Sequence, residues 1–337
     1  MPVMKVIPNE ISCNAAISAC SKGGQWQLAL RLLGSMPDMM VTPSEISYNA
    51  AISACEKGGQ WQLVLQLLSS MCDTRIVRDE ITYSAAISAC SKGGQWQRAL
   101  SLLSSMPDVR VIPNQISFNS AISACEKGGQ WQLALSLVSS MPHMRLVPDE
   151  ISYNAAISAC EKERRWQLAL GLLNSMPHMR IFRDHISYNA AISACEKGGQ
   201  WQGALSLLSS MPETRATPDE ISFSASISAC GPGQQWQLAL TVMRKMLEQQ
   251  VMPDEVCYNA LISVCEGSQQ LERGVQLLWE SKERGVFLSA AFFPWALARL
   301  SVHDPDIIAA AFDQVALKLS ASQLAPQDMV GYKQLFH

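Results

Sequence analysis

Residues 45–79 read EISYNAAISACEKGGQWQLVLQLLSSMCDTRIVRD. Apolar residues recur at steps of three and four in two stretches, Ile46 to Lys57 and Gln60 to Met71, on either side of Gly58-Gly59. That spacing predicts two short helices, with the Gly pair supplying the left-handed backbone that ends the first. Ser44 stands where the first helix wants an N-cap, and Asp79 does the same for the segment that follows. Pro43, just ahead, cannot extend a preceding helix. In the second helix Trp61, Val64, Leu65, Leu68 and Met71 fall on one packing stripe. In the first, Tyr48, Ala51, Ile52 and Cys55 share one face, and Ile46, Asn49, Ser53 and Lys57 lie on the other.

The stretch is one of eight. Cys20, Cys55, Cys90, Cys125, Cys160, Cys195, Cys230 and Cys265 recur every 35 residues, and Trp26, Trp61, Trp96, Trp131, Trp166, Trp201 and Trp236 keep the same step. Units open at Glu10, Glu45, Glu80, Gln115, Glu150, His185, Glu220 and Glu255. Alternating short helices at a fixed period predict an all-α fold. It is an α-solenoid superhelix of tandem helix-turn-helix repeats, in which each unit buries its apolar face only against its neighbours. Residues 10–289 form the array. Residues 290–337, where the period is lost, are expected to form a C-terminal helical cap, with Phe292, Phe293 and Trp295 covering the last repeat. Met1 aligns with Met71, so residues 1–9 read as the tail of a preceding repeat. The natural N-terminus, with any transit peptide, is then expected further upstream.

Several classes are excluded or demoted. The 337 residues carry a net charge of −3, and residues 1–289 hold 23 basic against 25 acidic side chains, which argues against a bulk polyelectrolyte binder. No apolar run approaches the ~18 residues of a membrane span, and Met1 to Pro8 lacks the apolar run of a secretory signal. The Cys column lacks CxxC pairs and zinc-ligand spacing, and stacked repeats hold equivalent cysteines too far apart for disulfides. Buried free thiols in a reducing compartment are therefore expected. No P-loop, Ser/His/Asp set or HxE-CxxC deaminase signature occurs, so neither enzyme activity, metal nor cofactor is expected.

The outer face of the first helix repeats a polar ladder: Asn14, Asn49, Asn119, Asn154, Asn189 and Asn259, with Ser84 and Ser224 as exceptions. Alongside it run Lys22, Lys57, Lys92, Lys127, Lys162 and Lys197, lapsing at Pro232 and Gly267. Amides that can bond base edges, aliphatics that can contact base faces and cations that can follow phosphates suit single-stranded nucleic acid. The plainer alternatives are solvated surface for the Asn and Lys columns and N-caps for the closing Asp residues. The Trp column could stack bases, but its place on the packing stripe favours core.

The unit EISYNAAISACEKGGQWQLALSLLSSMP…PD resembles the 35-residue pentatricopeptide repeat over about 280 of the 337 residues. The resemblance rests on the period, YNA-I near the start, Lys-Gly-Gly at the turn, AL-LL in the second helix and the closing Pro-Asp. Arg78 and Arg183 depart from that Pro. Tetratricopeptide repeats run at 34 residues and put Trp in the first helix. The family resemblance implies one RNA base per repeat, selected by the Asn column together with the residue closing each repeat, with the aliphatic at the second position sandwiching the base.

Carried over, Asn14/Ser44 implies cytosine, and Asn49/Asp79, Asn119/Asp149, Asn154/Asp184 and Asn189/Asp219 imply uracil. Ser84/Asn114 implies adenine, Ser224/Asp254 guanine and Asn259/Ser289 a weak cytosine, giving 5′-CUAUUUG(C)-3′. The sandwiching residues would be Ile11, Ile46, Ile81, Ile116, Ile151, Ile186, Ile221 and Val256. The resemblance also implies a monomeric adaptor without membrane attachment, working in mitochondrion or chloroplast beside other RNA-processing proteins. The competing reading is a helical scaffold for a protein or peptide.

Overall fold

A computed structural model describes residues 9–286; residues 1–8, Ser289 and the expected cap over 290–337 lie outside the described residues. Among the described residues every regular element is helical, and the helices alternate as the 35-residue period requires. First helices are α1 (Glu10–Lys22), α3 (Glu45–Lys57), α5 (Glu80–Lys92), α7 (Gln115–Lys127), α9 (Glu150–Lys162), α11 (His185–Lys197), α13 (Glu220–Ala229) and α15 (Glu255–Gly267). Second helices are α2 (Trp26–Ser35), α4 (Trp61–Asp73), α6 (Trp96–Ser105), α8 (Trp131–Ser140), α10 (Trp166–Ser175), α12 (Trp201–Ser210), α14 (Trp236–Glu248) and α16 (Leu271–Glu283).

The chain divides into two compact units, Met1–Arg183 and Asp184–His337. In the first unit α1, α3, α5, α7 and α9 stack side by side, and each second helix through α8 packs against its own first helix and the next. In the second unit α11, α13 and α15 stack in the same way, with α12 and α14 each bridging two of them. Both are α-solenoids. Small residues make the stacking possible: Ala51, Ala54 and Cys55 of α3, and their equivalents in α5, α7, α9 and α11, are fully buried.

Each first helix starts one residue earlier than the apolar pattern indicates, because the closing residue of the preceding repeat is an effective N-cap. Asp79, Asn114, Asp149 and Asp219 each accept from the backbone N–H three residues on, and a Thr or Ser hydroxyl there completes a capping box. The second helix starts at Trp61 rather than Gln60, and α4 runs on to Asp73. The connectors are more ordered than a polar linker. Five carry a short 3-10 turn, and a left-handed residue closes the turn at Met40, Arg75, Arg110, Arg145, Arg180 and Arg215, with φ between 56° and 64°.

The Gly pair has two separate jobs. Gly59 takes the left-handed conformation at φ 70°, whereas Gly58, at φ −77°, is ordinary right-handed backbone. Gly58 is needed for space: a Cβ there would lie 2.4 Å from the Trp26 indole of the preceding repeat. The same closeness recurs between Gly93 and Trp61 at 2.2 Å and between Gly128 and Trp96 at 2.3 Å. The half-buried Trp column is thus a staple between successive repeats.

Candidate nucleic-acid interface

The second position of each repeat is open to solvent. Ile11, Ile46, Ile81, Ile116, Ile151, Ile186, Ile221 and Val256 keep between 52% and 78% of their surface exposed. Large aliphatics thus stand free at this register, as they also do in the connectors at Val77, Ile112, Val147 and Met252.

The polar ladder lies deeper than an open face. Asn14, Asn49, Asn119, Asn154 and Asn259 are half-buried, while Ser84, Asn189 and Ser224 are buried. Pairing with the closing residues is one cause. Asn49 Nδ2 donates to both Asp79 oxygens at 3.2 and 3.3 Å, Asn119 to Asp149 at 3.1 and 3.1 Å, and Asn189 to Asp219 at 3.0 and 3.0 Å. The Ser84 hydroxyl donates to Asn114 Oδ1 at 3.2 Å. Four of the sequence-inferred pairs are therefore single hydrogen-bonded units although their members lie 30 residues apart.

Two other pairs are arranged differently. Ser44 Oγ meets Ser47 Oγ rather than Asn14, and the Ser224 hydroxyl donates to the Ile221 carbonyl while Asp254 caps Cys257. Asn154 belongs to the first unit, and Asp184 opens the second, where it caps Ser187. The partner inferred for Asn259, Ser289, lies outside the described residues.

The Asn carbonyls vary along the ladder. Asn14 Oδ1 accepts from Ser47 at 2.5 Å and Asn49 Oδ1 from Thr82 at 2.6 Å. The Oδ1 atoms of Asn119, Asn189 and Asn259 are buried with no donor from the protein. An unmet buried acceptor costs about 1–3 kcal/mol, so these oxygens are unspent hydrogen-bonding capacity at the ladder.

The sequence reading missed a third participant, the residue that opens each repeat. Gln115 Nε2 donates to Asp149 Oδ2 at 2.6 Å, and Asn114 Nδ2 donates to Glu80 Oε1. Glu45 and Asp79 are a carboxyl pair sharing a hydrogen bond. That bond comes first, ahead of burial and repulsion from Asp79, in holding the Glu45 pKa above its ordinary value. Burial pushes Asp79 upward, but hydrogen bonds from Thr82, Glu45 and Asn49 outweigh it and leave this carboxylate below its ordinary pKa. Asp149 is likewise lowered: burial opposes ionisation, and bonds from Ser152, Asn119 and Gln115 overcome it. The signal for this group was present in the capping register, which sets the opening residue next to the cap of its own helix. Its contact with the next cap needed the stacked neighbour.

All six Lys of the rail are exposed. Lys92 Nζ lies 2.6 Å from Glu56 and Lys162 Nζ 2.7 Å from Glu126, each a carboxylate of the preceding repeat. Lys57 Nζ donates to the Ser21 carbonyl at 3.3 Å, where that repeat has Ser in place of Glu. Among the described residues no group of three or more His, Cys, Asp or Glu is placed to hold a metal ion, and no helix is long and apolar enough to cross a membrane.

Comparison with known proteins agrees with this geometry. Three family models match: the PPR repeat family at 8–56 and 113–162, the pentatricopeptide repeat domain at 66–128 and 234–268, and the PPR repeat at 46–76, 151–181, 186–214 and 256–286. No curated protein matches the chain in sequence. Among solved structures, the pentatricopeptide repeat protein PPR10 in complex with an 18-nt psaJ RNA element is similar at TM-score 0.60 and 18% identity, over 96% of this chain and 52% of that one. PPR10 from maize is similar at TM-score 0.52 and 17% identity, over 91% of this chain and 55% of that one. The chain thus spans about half the length of these relatives, and at such identity the likeness shows the fold alone. The repeat models, the 35-residue helix pairs and the stacking of their first helices converge, and the chain belongs to the pentatricopeptide repeat family.

Proposed function

We propose that this protein binds single-stranded RNA, one base per repeat, as a non-catalytic adaptor. The observation that carries the reading is the hydrogen-bonded coupling of the ladder to the closing column, Asn49–Asp79, Ser84–Asn114, Asn119–Asp149 and Asn189–Asp219, beside a row of exposed aliphatics. A paired amide and carboxylate, or hydroxyl and amide, presents a fixed pattern of donors and acceptors to a base edge, and an aliphatic on each side can hold the base face. The PPR10 structure contains RNA, which supports the same ligand class here. The residue pairs give 5′-CUAUUUG(C)-3′ as the preferred target. Work on organelle transcripts, in processing, stability or editing and in mitochondrion or chloroplast, follows the family resemblance.

The test uses the repeat from Glu80 to Asn114, whose Ser84/Asn114 pair interrupts a run of Asn/Asp pairs. Ser84→Asn with Asn114→Asp turns it into a copy of the repeats on either side. Ser84 is buried, but Asn49 and Asn119 occupy the equivalent slot, so the larger side chain has precedent in the same scaffold. Binding of the native and double-variant proteins to CUAUUUG and CUUUUUG at one salt concentration should show the preference exchange. By analogy with base discrimination on DNA, the change is worth about 1–3 kcal/mol. Equal effects on both RNAs would sink the base-reading assignment and favour a scaffold for a protein or peptide.

A further inference from the structure

The pairs Asn49/Asp79, Asn119/Asp149 and Asn189/Asp219 are the same two letters, yet their carboxylates are not equally free. An ionised carboxylate offers about four lone-pair sites. Asp149 receives the Ser152 N–H at 2.9 Å, the Ser152 hydroxyl at 2.7 Å, the Asn119 amide at 3.1 Å on each oxygen, and Gln115 Nε2 at 2.6 Å. Every site is taken. Asp219 receives the Ser222 N–H at 2.9 Å, the Ser222 hydroxyl at 3.0 Å and the Asn189 amide at 3.0 Å on each oxygen. Its repeat opens with His185, which is exposed and donates nothing to it, so Oδ2 keeps an open site.

The same position acts in the opposite sense one repeat before that of Gln115, where Glu80 accepts a hydrogen of the Asn114 amide and withdraws it from use by a base. In the repeat of Asp79 the occupant is Glu45, a second acidic side chain that has no amide hydrogen to give the closing carboxylate.

We infer that the residue opening each repeat is a third specificity-determining residue, which sets how many donors and acceptors the closing residue retains for a base. This rests on the reading that closing residues meet bases. Uracil presents an N3–H donor on its pairing edge, where cytosine presents an acceptor, so an open carboxylate site favours uracil and a filled one blunts the difference. Gln115 competes with the base for Asp149; His185 leaves Asp219 available.

Two substitutions test this in opposite directions. Affinities for CUAUUUG and for RNAs carrying C at the fourth or the sixth base are measured at one salt concentration, with helicity checked by circular dichroism. Gln115→Ala should widen the uracil-over-cytosine ratio at the fourth base by roughly 3–10-fold, the worth of one hydrogen bond. His185→Gln should narrow the ratio at the sixth base by a similar factor. Each variant should leave the other base and the salt dependence unchanged. If the native protein prefers uracil at both bases and neither variant moves its ratio, or either moves it the other way, the opening residue has no such role while base reading stands. A native protein indifferent to uracil and cytosine at both bases overturns base reading and this inference with it.

Discussion

Asn49 has two roles that pull in different directions. It sits mid-helix, where Asn is a poor helix former, and it reaches across to the cap of the next first helix. The cap carboxylate does structural work through Thr82 and keeps its charge despite half-burial, because the hydrogen bonds it accepts outweigh desolvation. The plain reading of Asp79 as an N-cap and the functional reading as a base contact are compatible, since a carboxylate can serve the helix with one oxygen and face the ladder with the other.

The cysteines are simpler. Cys55, Cys90, Cys125, Cys160, Cys195 and Cys230 are free and buried, and burial pushes each thiol from about 9 up to about 11. Cys20 is half-buried, because among the described residues no first helix precedes α1 to cover it, and Cys72 is exposed. A group with a raised folded pKa supports the fold below its unfolded value and loses that support as pH rises through the folded one. Stability should therefore be flat in this respect below pH 9 and fall between about 9 and 11. Thiol labelling of the native protein should be fast at Cys72, slower at Cys20 and slow elsewhere. Alkaline melting curves without a fall in that window would contradict the burial argument.

At the scale of elements, the turn between the two helices of a repeat decides how repeats meet. Gly93 has ordinary backbone angles, yet a Cβ would come within 2.2 Å of the Trp61 indole. Gly93→Ala should thus destabilise by about 1–3 kcal/mol through overpacking, not through backbone strain. In a Trp61→Ala background the added methyl should cost much less, since the obstacle is gone; urea unfolding of the two single variants and the double variant measures the coupling. Equal costs in both backgrounds would place the penalty in the backbone. The repeat from Glu150 shows what relaxing this motif requires. Glu163 and Arg164 stand where the Gly pair would be, Arg164 takes φ 55°, and Arg165 covers the Trp131 ring at 5.1 Å. A cation over the indole replaces the close glycine contact there.

At the scale of the molecule, affinity for a polyanion must come from local charge, because the chain as a whole is net −3. The Lys rail is the candidate, but Glu56 and Glu126 already hold Lys92 and Lys162. If each freely available Lys neutralises one phosphate, it contributes about −0.7 to the log–log salt slope on a single strand. Lys127→Ala should make the slope shallower by about that amount. Lys92→Ala should change it by less than half as much, since the Glu56 carboxylate is released when its partner is lost. Identical changes in the two variants would show that the ion pairs open on binding and that the rail acts as a uniform row.

The repeat, its two helices, their packing stripes and the register of every column were all legible in the amino-acid order. These are consequences of short-range periodicity, and 35-residue recurrence multiplies a weak local signal eightfold. Helix ends were legible to within a residue or two, because Asp79 and its equivalents announce the caps. Tertiary structure alone decided which columns touch. Asn49 and Asp79 are 30 residues apart, and only the stacking of α3 on α5 makes them one hydrogen-bonded group. The same stacking makes Gly58 a space requirement where the sequence suggested a left-handed helix end, ties Lys92 to Glu56, and brings Gln115 onto Asp149. A periodic sequence gives the angle at which each side chain leaves its helix. Which partner it meets depends on the distance and offset between neighbouring helices, and these are set by side-chain volumes packed across the interface.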